Sequence, residues 1–343
     1  MAPGRSYSTP DRNQTTKPTK ALFSWFACLS VALTGSAGPR DNRSAMADQK
    51  LHYSGVVDSR FPGLTEEVRK VIRESEQKYD GGSRSSESFL WEHTTHVASL
   101  AHRLALAENL DPVIPAVAAL FHDAGKFAGG RYHEDAGAEE EESARIAEPL
   151  LRRFGMRSAD INRVISGLRA LYSEKAAKNA VARIIHDADF LSKFGALGVA
   201  SFFVKSALRG RTLGSAVLGH LSKELTYAAC LPSNMHTAAG WRLAAKKAAD
   251  SLKFFDSLLA DLRDAGIADL EVRRMRVPHP TRKKRSLEVR LVASRTCPRC
   301  GGRWQRTWTT ERGVKCRKLI VDWTCRGCAG QLETSFCLPE IAG

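Results

Sequence analysis

Apolar residues recur at helical spacing along most of the chain before about residue 265. Between Glu87 and Glu108 they stand three and four positions apart, which indicates an amphipathic helix with one face towards a core. No run of alternating residues typical of a β-strand precedes residue 286. The pattern predicts a mostly α-helical chain with β-structure at its C-terminal end. Further helices are expected over residues 138–154, 161–172, 180–194, 198–209 and 242–265.

The helix that ends near residue 121 is bounded by clear signals. Asp111 is a natural helix cap, Pro112 suits the first helical position, and residues 113–121 are apolar nearly throughout. Such a run is expected to be buried. His122 and Asp123 therefore emerge at the inner end of a core helix, where two successive side chains can lie on either side of one ion.

Four side chains in the middle of the chain are suited to bind one metal ion. They are His93, the adjacent pair His122 and Asp123, and Asp189. Imidazole and carboxylate ligands without a thiolate suit a divalent ion such as Mn, Fe, Co, Ni, Zn or Mg, and they argue against a structural zinc site. Burying an adjacent His-Asp pair costs free energy unless its polar atoms are satisfied. One divalent metal is expected here, where it would activate a water and neutralise a phosphate under attack.

Three further polar residues near these ligands are candidates for catalysis. Lys126 follows the His-Asp pair, where its ammonium can hold a substrate phosphate as a point charge. Asp187 stands two positions before Asp189, so on a helix the two carboxylates point to different sides. Asp189 is interpreted as the ligand, and Asp187 as its hydrogen-bonding neighbour or a general base. Asp123 is the alternative group to manage the proton.

The arrangement of these residues resembles the HD-domain superfamily of metal-dependent phosphohydrolases, which carry H…HD…D on an all-helical domain. The resemblance rests on the segments WEHT, FHDAGK and DADFLSKFGALG and covers roughly residues 60 to 262. It implies that His93, His122, Asp123 and Asp189 are the metal ligands. Many members carry a further His where residues 164–168 of this chain have none, which favours a single metal.

Other segments are similar to the bacterial HD hydrolases that act on nucleotides. They are HLSKEL, which begins at His220, and MHTAAG, which begins at Met235. The resemblance implies cleavage of a phosphoester or phosphoanhydride in a nucleotide-like substrate. Substrate contacts are then expected from Lys126, His133, His220 and Lys223.

Four cysteines near the C-terminus form the array C-x2-C, x24, C-x2-C. The pairs are Cys297 with Cys300 and Cys325 with Cys328, and the array resembles a zinc ribbon with one structural zinc. A module of about fifty residues buries too little area to fold without such a metal. A disulfide pair is the alternative, and Cys316 and Cys337 could compete as ligands.

The formal net charge of +15 and a pI near 9.6 predict attraction to polyanions. These include phosphorylated small molecules and nucleic acid alike. The basic residues near position 280, interrupted by Pro278 and Pro280, are interpreted as a linker. The alternative function is therefore a nucleic-acid-binding protein or nuclease that uses this linker and the zinc ribbon.

The N-terminal segment is not expected to belong to the fold. An apolar run at residues 21–38 gives a weak signal-peptide outline, whereas Met46 begins a stretch that is typical of an ordinary start. A cytoplasmic protein without a membrane partner is expected. The predicted organisation is a leader over residues 1–50, an HD domain over 60–271, a basic linker over 272–290 and a zinc-ribbon-like module over 291–343.

Overall fold

A computed structural model describes residues 52–79, 88–128, 139–173, 175–280, 285–312 and 316–339. Over these ranges the chain forms ten α-helices followed by five β-strands, which confirms the predicted fold class. The helices are α1 Tyr53–Arg60, α2 Leu64–Tyr79, α3 Phe89–Ala107, α4 Val113–Phe121, α5 Glu139–Arg153, α6 Ser158–Ala170, α7 Ala180–Ser192, α8 Gly195–Leu208, α9 Leu213–Cys230 and α10 Ala238–Asp264. The strands are β1 Leu270–Pro278, β2 Ser286–Ser294, β3 Trp304–Arg312, β4 Arg317–Cys325 and β5 Gln331–Cys337.

The centre of the helical layer is α4, all of whose residues are buried. It is apolar on every side because α3, α6 and α7 pack around it, and a helix buried on all faces has no polar stripe. Leu120 and Phe121 at its C-terminal end are fully buried. The next two residues are therefore delivered directly into the core, as the sequence predicts.

Side-chain caps fix where the helices that carry the site begin. The Ser88 hydroxyl accepts a hydrogen bond from the backbone N–H of Trp91 at 3.0 Å, at the start of α3. Asp111 accepts from the backbone N–H of Val113 at 3.0 Å, which confirms its predicted capping role. Asn179 caps α7 in the same way, through the N–H groups of its second and third following residues.

The region interpreted as a basic linker is an antiparallel β-hairpin. Strands β1 and β2 pair from Leu270 opposite Ser294 to Pro278 opposite Ser286. On β1, Met275 and Val277 are buried whereas Arg274 and Arg276 are exposed. This alternation is typical of a strand with one solvent-facing side. It was not recognised in the sequence because the solvent-facing positions are arginines, which were interpreted as part of a basic linker. The linker prediction was wrong, and proline only ends the strand at residue 278.

The hairpin lies between the helices and a second sheet. Leu270 and Val292 on one face join an apolar cluster with α9 and α10. Val289 and Leu291 on the other face share a cluster with Trp323, which is fully buried. The Ser222 hydroxyl on α9 also accepts a hydrogen bond from the backbone N–H of Val292 at 2.8 Å. The C-terminal sheet is thus joined to the helical layer through a shared core.

The second sheet has the strand order β3-β4-β5 and is antiparallel throughout. Its cysteine knuckles lie before β3 and between β4 and β5, as expected for a zinc-ribbon-like module. Cys316 and Cys337 form a disulfide with an S–S distance of 1.99 Å. They are therefore not competing zinc ligands, which corrects that part of the sequence interpretation.

Among the described residues, no single helix has both the length and the apolar character to cross a membrane. Helices α7 and α8 meet those criteria only as a pair, and they are bent by 70° where they join.

Candidate metal site of the helical layer

The side chains predicted to bind a metal converge at the C-terminal end of α4. The Nε2 atom of His93 lies 3.3 Å from Nε2 of His122, 3.6 Å from Oδ2 of Asp123 and 3.3 Å from Oδ1 of Asp189. Nε2 of His122 lies 3.7 Å from Oδ2 of Asp123. Donor atoms bound at about 2.1 Å to one ion stand about 3.0–3.4 Å apart in octahedral or tetrahedral geometry. The observed separations are close to that range.

The hydrogen bonds of His122 prepare its outer nitrogen for a metal. Nδ1 lies 2.7 Å from the carbonyl oxygen of Ala119, so it carries the proton and donates it there. This tautomer leaves the lone pair of Nε2 directed at His93 and Asp123. Burial lowers the pKa of His122, and this keeps the imidazole neutral. Three acceptor groups therefore face one another at short range, an arrangement that a cation stabilises.

Both carboxylates of the site are held ionised. Burial raises the pKa of Asp123, but the ammonium of Lys126 and the two imidazoles outweigh it and bring the pKa below its ordinary value. The Lys126 Nζ atom lies 2.6 Å from Oδ2 of Asp123. Asp189 is held well below its ordinary pKa in the same way, against burial, chiefly by Lys193 and His93. Two anionic and two neutral ligands suit a divalent ion.

Asp189 is oriented by two donors on its second oxygen. The Tyr172 hydroxyl donates to Oδ2 at 2.6 Å, and the Lys193 ammonium lies 2.7 Å from the same atom. These contacts leave Oδ1 directed at His93. Tyr172 is half-exposed, but desolvation of its hydroxyl and the charge of Asp189 raise its pKa well above the ordinary value, so the phenol remains a hydrogen-bond donor. Such partners fix the direction of a ligand.

The turn after the His-Asp pair is fixed by close contact with α5. The backbone N–H of Gly125 donates to the Ser143 hydroxyl at 2.9 Å, and that hydroxyl donates to the carbonyl oxygen of His122 at 3.0 Å. A Cβ atom at Gly125 would lie 2.6 Å from the carbonyl oxygen of Glu139. Only glycine allows this approach, and it positions the preceding pair.

A cluster of cations lies beside the site. We call it the cationic cluster and define it as Lys126, Lys193, Lys205, Arg209 and Lys223. Lys205 and Lys223 are exposed at the surface. Partial desolvation and the charges of Lys126 and Arg209 lower the pKa of Lys205. Partial desolvation and the charges of Lys193 and Arg209 also lower the pKa of Lys223. These mutual effects place one group of positive charges next to the metal ligands.

The residues of this region match the model of one protein family. That model describes the HD domain, and residues 90–193 match it. This part of the chain is an HD domain. Its ligand set His93, His122 and Asp123, whose donor atoms lie within 4.8 Å of one another, agrees with a metal-dependent hydrolase. Asp189 joins that set through its contact with His93.

Solved structures with a similar chain path include YpgQ from Bacillus subtilis. It shares 22% identity, with 59% of this chain and 95% of that chain covered and a TM-score of 0.44. A structure of YpgQ in complex with ADP shares 24% identity over 58% and 96%, with a TM-score of 0.41. A predicted HD superfamily hydrolase from an uncultured Thermotogales bacterium shares 21% over 57% and 91%, with a TM-score of 0.41. No curated protein sequence matches the chain.

Asp187 lies in the HD domain, where its carboxylate binds the start of α10. Its carboxylate accepts hydrogen bonds from the backbone N–H of His236 at 2.8 Å, and from the N–H and hydroxyl of Thr237 at 2.9 and 2.7 Å. It is fully buried. These donors lie at the start of α10, where a negative charge is favourable. The carboxylate therefore holds α10 against α7, and its predicted role as a general base stays a prediction.

The remaining predicted substrate contacts lie on α9 or outside the described residues. Lys223 belongs to the cationic cluster. Burial and the charges of Arg211 and Lys223 lower the pKa of His220, which places it beside the same group. His133 lies outside the described residues, so its predicted contact stays a prediction.

Four residues of the site were missed by the sequence interpretation. Lys193 stands four positions after Asp189 on one helical face, and that spacing is a usable signal for an ion pair. Ser192 donates to the backbone of Asp189 at 2.7 Å and lies 3.5 Å from Nδ1 of His93. Ser143 reaches the site from α5, and Tyr172 from the turn that follows α6. They have no signal in a single sequence, because only the packing of α5 and α6 brings them there.

The cysteine array of the C-terminal sheet also converges. The four Sγ atoms of Cys297, Cys300, Cys325 and Cys328 lie within 4.8 Å of one another. A Cβ atom at Gly302 would lie 2.9 Å from Sγ of Cys325. Backbone N–H groups of Cys328 and of its preceding glycine lower the pKa of Cys325, which favours a thiolate at this one position. The donors fit one tetrahedral zinc.

Proposed function

We propose that the HD site hydrolyses a phosphoester or phosphoanhydride bond of a nucleotide-like substrate. The observation that carries the proposal is the convergence of His93, His122 and Asp123 beside the cationic cluster. Ligands for a divalent ion and a group of positive charges together suit a reaction at phosphorus.

One divalent ion would be held by His93, His122, Asp123 and Asp189. When bound, such an ion activates water and polarises a phosphoryl oxygen. His93 is the ligand that faces solvent, with 19% of its side chain exposed, whereas the other three are nearly fully buried. Substrate therefore approaches from the side of His93.

Asp123 serves as a ligand in this proposal and not as the base. Its lowered pKa makes it a weak proton acceptor near neutral pH. The same oxygen, Oδ2, already faces two imidazoles and the Lys126 ammonium. Lys126 stands at the edge of the site, where its charge can contact a phosphate oxygen and stabilise charge that develops there.

The cationic cluster supports a substrate with several phosphate charges. Lys126 and Lys193 form ion pairs with the carboxylates of the metal site. The other members, Lys205, Arg209 and Lys223, extend the positive charge over α8 and α9. Glu224 is the acidic residue among them, and burial raises its pKa, which reduces its opposing charge. A phosphate chain on a nucleoside would bridge the metal site and this surface.

The test is release of phosphate and pyrophosphate from a panel of nucleotides by the full chain. The protein is first stripped of metal, and Mn, Co, Ni, Fe, Mg and Zn are then added singly. The proposal expects turnover with one nucleotide class and one or two ions, and no turnover without an added ion. A protein that binds metal but releases neither product from any nucleotide would contradict it.

A further inference from the structure

The C-terminal part of the chain carries most of its net positive charge. Residues 271–343 include 17 lysines and arginines against 6 acidic residues, a net charge of +11 within the total of +15. The cationic cluster of the HD site lies outside this range. A surface so strongly basic attracts polyanions. The hydrolytic site does not account for this charge.

Two of these arginines and one tryptophan lie in a row on strand β3. The strand lies at the edge of its sheet, and alternate residues share one face, so Arg306, Trp308 and Arg312 point the same way. On the neighbouring strand the same face carries Val321 and Trp323, which are covered by the hairpin. The hairpin does not cover the corresponding residues of β3, because both arginines are exposed and Trp308 is 38% exposed.

The end of this row places two like charges against each other. Arg312 stands directly opposite Arg317 in the β3–β4 register. Among the described residues, neither of them nor Arg306 forms an ion pair. Like charges in directly opposed positions destabilise a sheet. An anion bound between them would remove that cost. We call Arg306, Trp308, Arg312 and Arg317 the β3 edge surface.

We propose that the β3 edge surface binds single-stranded nucleic acid. Guanidinium groups bind phosphate through paired hydrogen bonds, and an exposed indole offers a platform on which a base stacks. Alternate residues of a strand stand about 7 Å apart, so arginine and tryptophan contacts repeat along one narrow row. A duplex hides the faces of its bases, whereas a single strand presents them to such a row. An acidic peptide would satisfy the arginines but not the indole.

The first test is equilibrium binding of a fluorescein-labelled oligothymidylate of about 12 nucleotides to the full chain. Trp308→Ala is expected to weaken binding about tenfold, since stacking on one aromatic side chain contributes about 1–3 kcal/mol. Trp241→Ala is the matched control, because Trp241 is 55% exposed on α10 and far from β3 in sequence. It is expected to bind as the wild type does.

The second test is the salt dependence of that binding. The double variant Arg306→Gln, Arg312→Gln removes two phosphate contacts. The slope of log affinity against log salt concentration is expected to become shallower by about 1.4, since each contact with a single strand contributes about 0.7. Unchanged circular dichroism and zinc content show that the variant sheet is intact.

Three results would overturn the proposal. They are equal affinity of Trp308→Ala and wild type, an equal loss in Trp241→Ala, and displacement of the oligonucleotide by polyglutamate as readily as by unlabelled oligonucleotide. The binding does not depend on the proposed hydrolysis. Asp123→Asn should therefore bind the oligonucleotide normally even where it has lost turnover, so the two proposals fail separately.

Discussion

At the scale of single residues, the site depends on carboxylates that burial alone would make neutral. Asp123 is kept ionised by Lys126, and Asp189 by Lys193 with the hydroxyl of Tyr172. Lys126 contacts the oxygen of Asp123 that also faces His93. Lys193 contacts Oδ2 of Asp189, whereas Oδ1 of that carboxylate faces His93. Charge is thus provided by residues that need not touch the metal. Their removal should weaken metal binding while the ligands themselves are retained.

Tyr172→Phe tests this dependence. The change removes the hydroxyl that donates to Oδ2 of Asp189 and keeps the ring. Metal affinity is expected to fall by about 10- to 100-fold, as is typical when a partner that orients a ligand is lost. Isothermal titration with the activating ion measures it, and Tyr53→Phe, in α1, is the control. Unchanged affinity in Tyr172→Phe would show that the hydroxyl does not orient Asp189.

At the scale of elements, the predictable parts are those carried by local pattern. The helix at residues 113–121 and the position of His122 and Asp123 follow from an apolar run with a cap and a proline, and both are found. The hairpin was missed because arginines filled the solvent side of β1. The hydrogen bonds of Asp187 were not predicted because its partners, His236 and Thr237, come from a distant helix start. Long-range packing of this kind leaves no local signal.

Asp187→Asn tests its role at the junction of α7 and α10. His236 donates to one oxygen of the carboxylate, and Thr237 donates twice to the other. An amide has only one oxygen, and its NH2 group cannot accept a hydrogen bond. The free energy of unfolding is expected to fall by about 1–3 kcal/mol, with metal affinity unchanged. Urea denaturation and metal titration measure the two quantities. Normal stability combined with lost turnover would instead support the predicted role as a general base.

His236 gives the same junction a pH dependence. Burial, and then the charge of His186, lower its pKa from 6.5 to about 4 in the folded protein. The unfolded chain takes up this proton as pH falls through 6.5, whereas the folded chain does so only near 4, so stability declines across that window. Urea unfolding between about pH 7 and pH 4 should show a smaller decline in His236→Gln. An identical decline in the variant would contradict this assignment.

At the largest scale, the described residues form a helical layer, a hairpin and a small sheet that pack on one another in that order. The hairpin covers apolar residues of α9 and α10 with one face and of the sheet with the other. The C-terminal module is therefore part of the fold of the described chain, and a mobile tether is not needed to explain it. The sequence interpretation separated this module from the helices at residues 272–290, because basic residues and prolines there are typical of a linker. The shared core could be recognised only from the pairing of β1 with β2.

A chain that ends at residue 269 tests this integration. It loses the hairpin and exposes Val217, Leu221 and Leu259, which are buried in the apolar cluster with Leu270. The midpoint of thermal unfolding is expected to fall by at least about 5 °C relative to the full chain. Differential scanning calorimetry measures it. An equal midpoint for the shortened chain would show that the helical layer is independent of the hairpin.

The central claim is that His93, His122, Asp123 and Asp189 hold one divalent ion on which hydrolysis depends. The most direct measurement is nucleotide turnover against metal concentration for the wild type, Asp123→Asn and the control Asp160→Asn. Asp160 on α6 is also a buried aspartate, and it pairs with Arg157 just before that helix. We predict at least a roughly hundredfold loss in Asp123→Asn, since the ion contributes several kcal/mol to the reaction, and near-normal turnover in Asp160→Asn. Full turnover by Asp123→Asn at the same metal concentration would contradict the account.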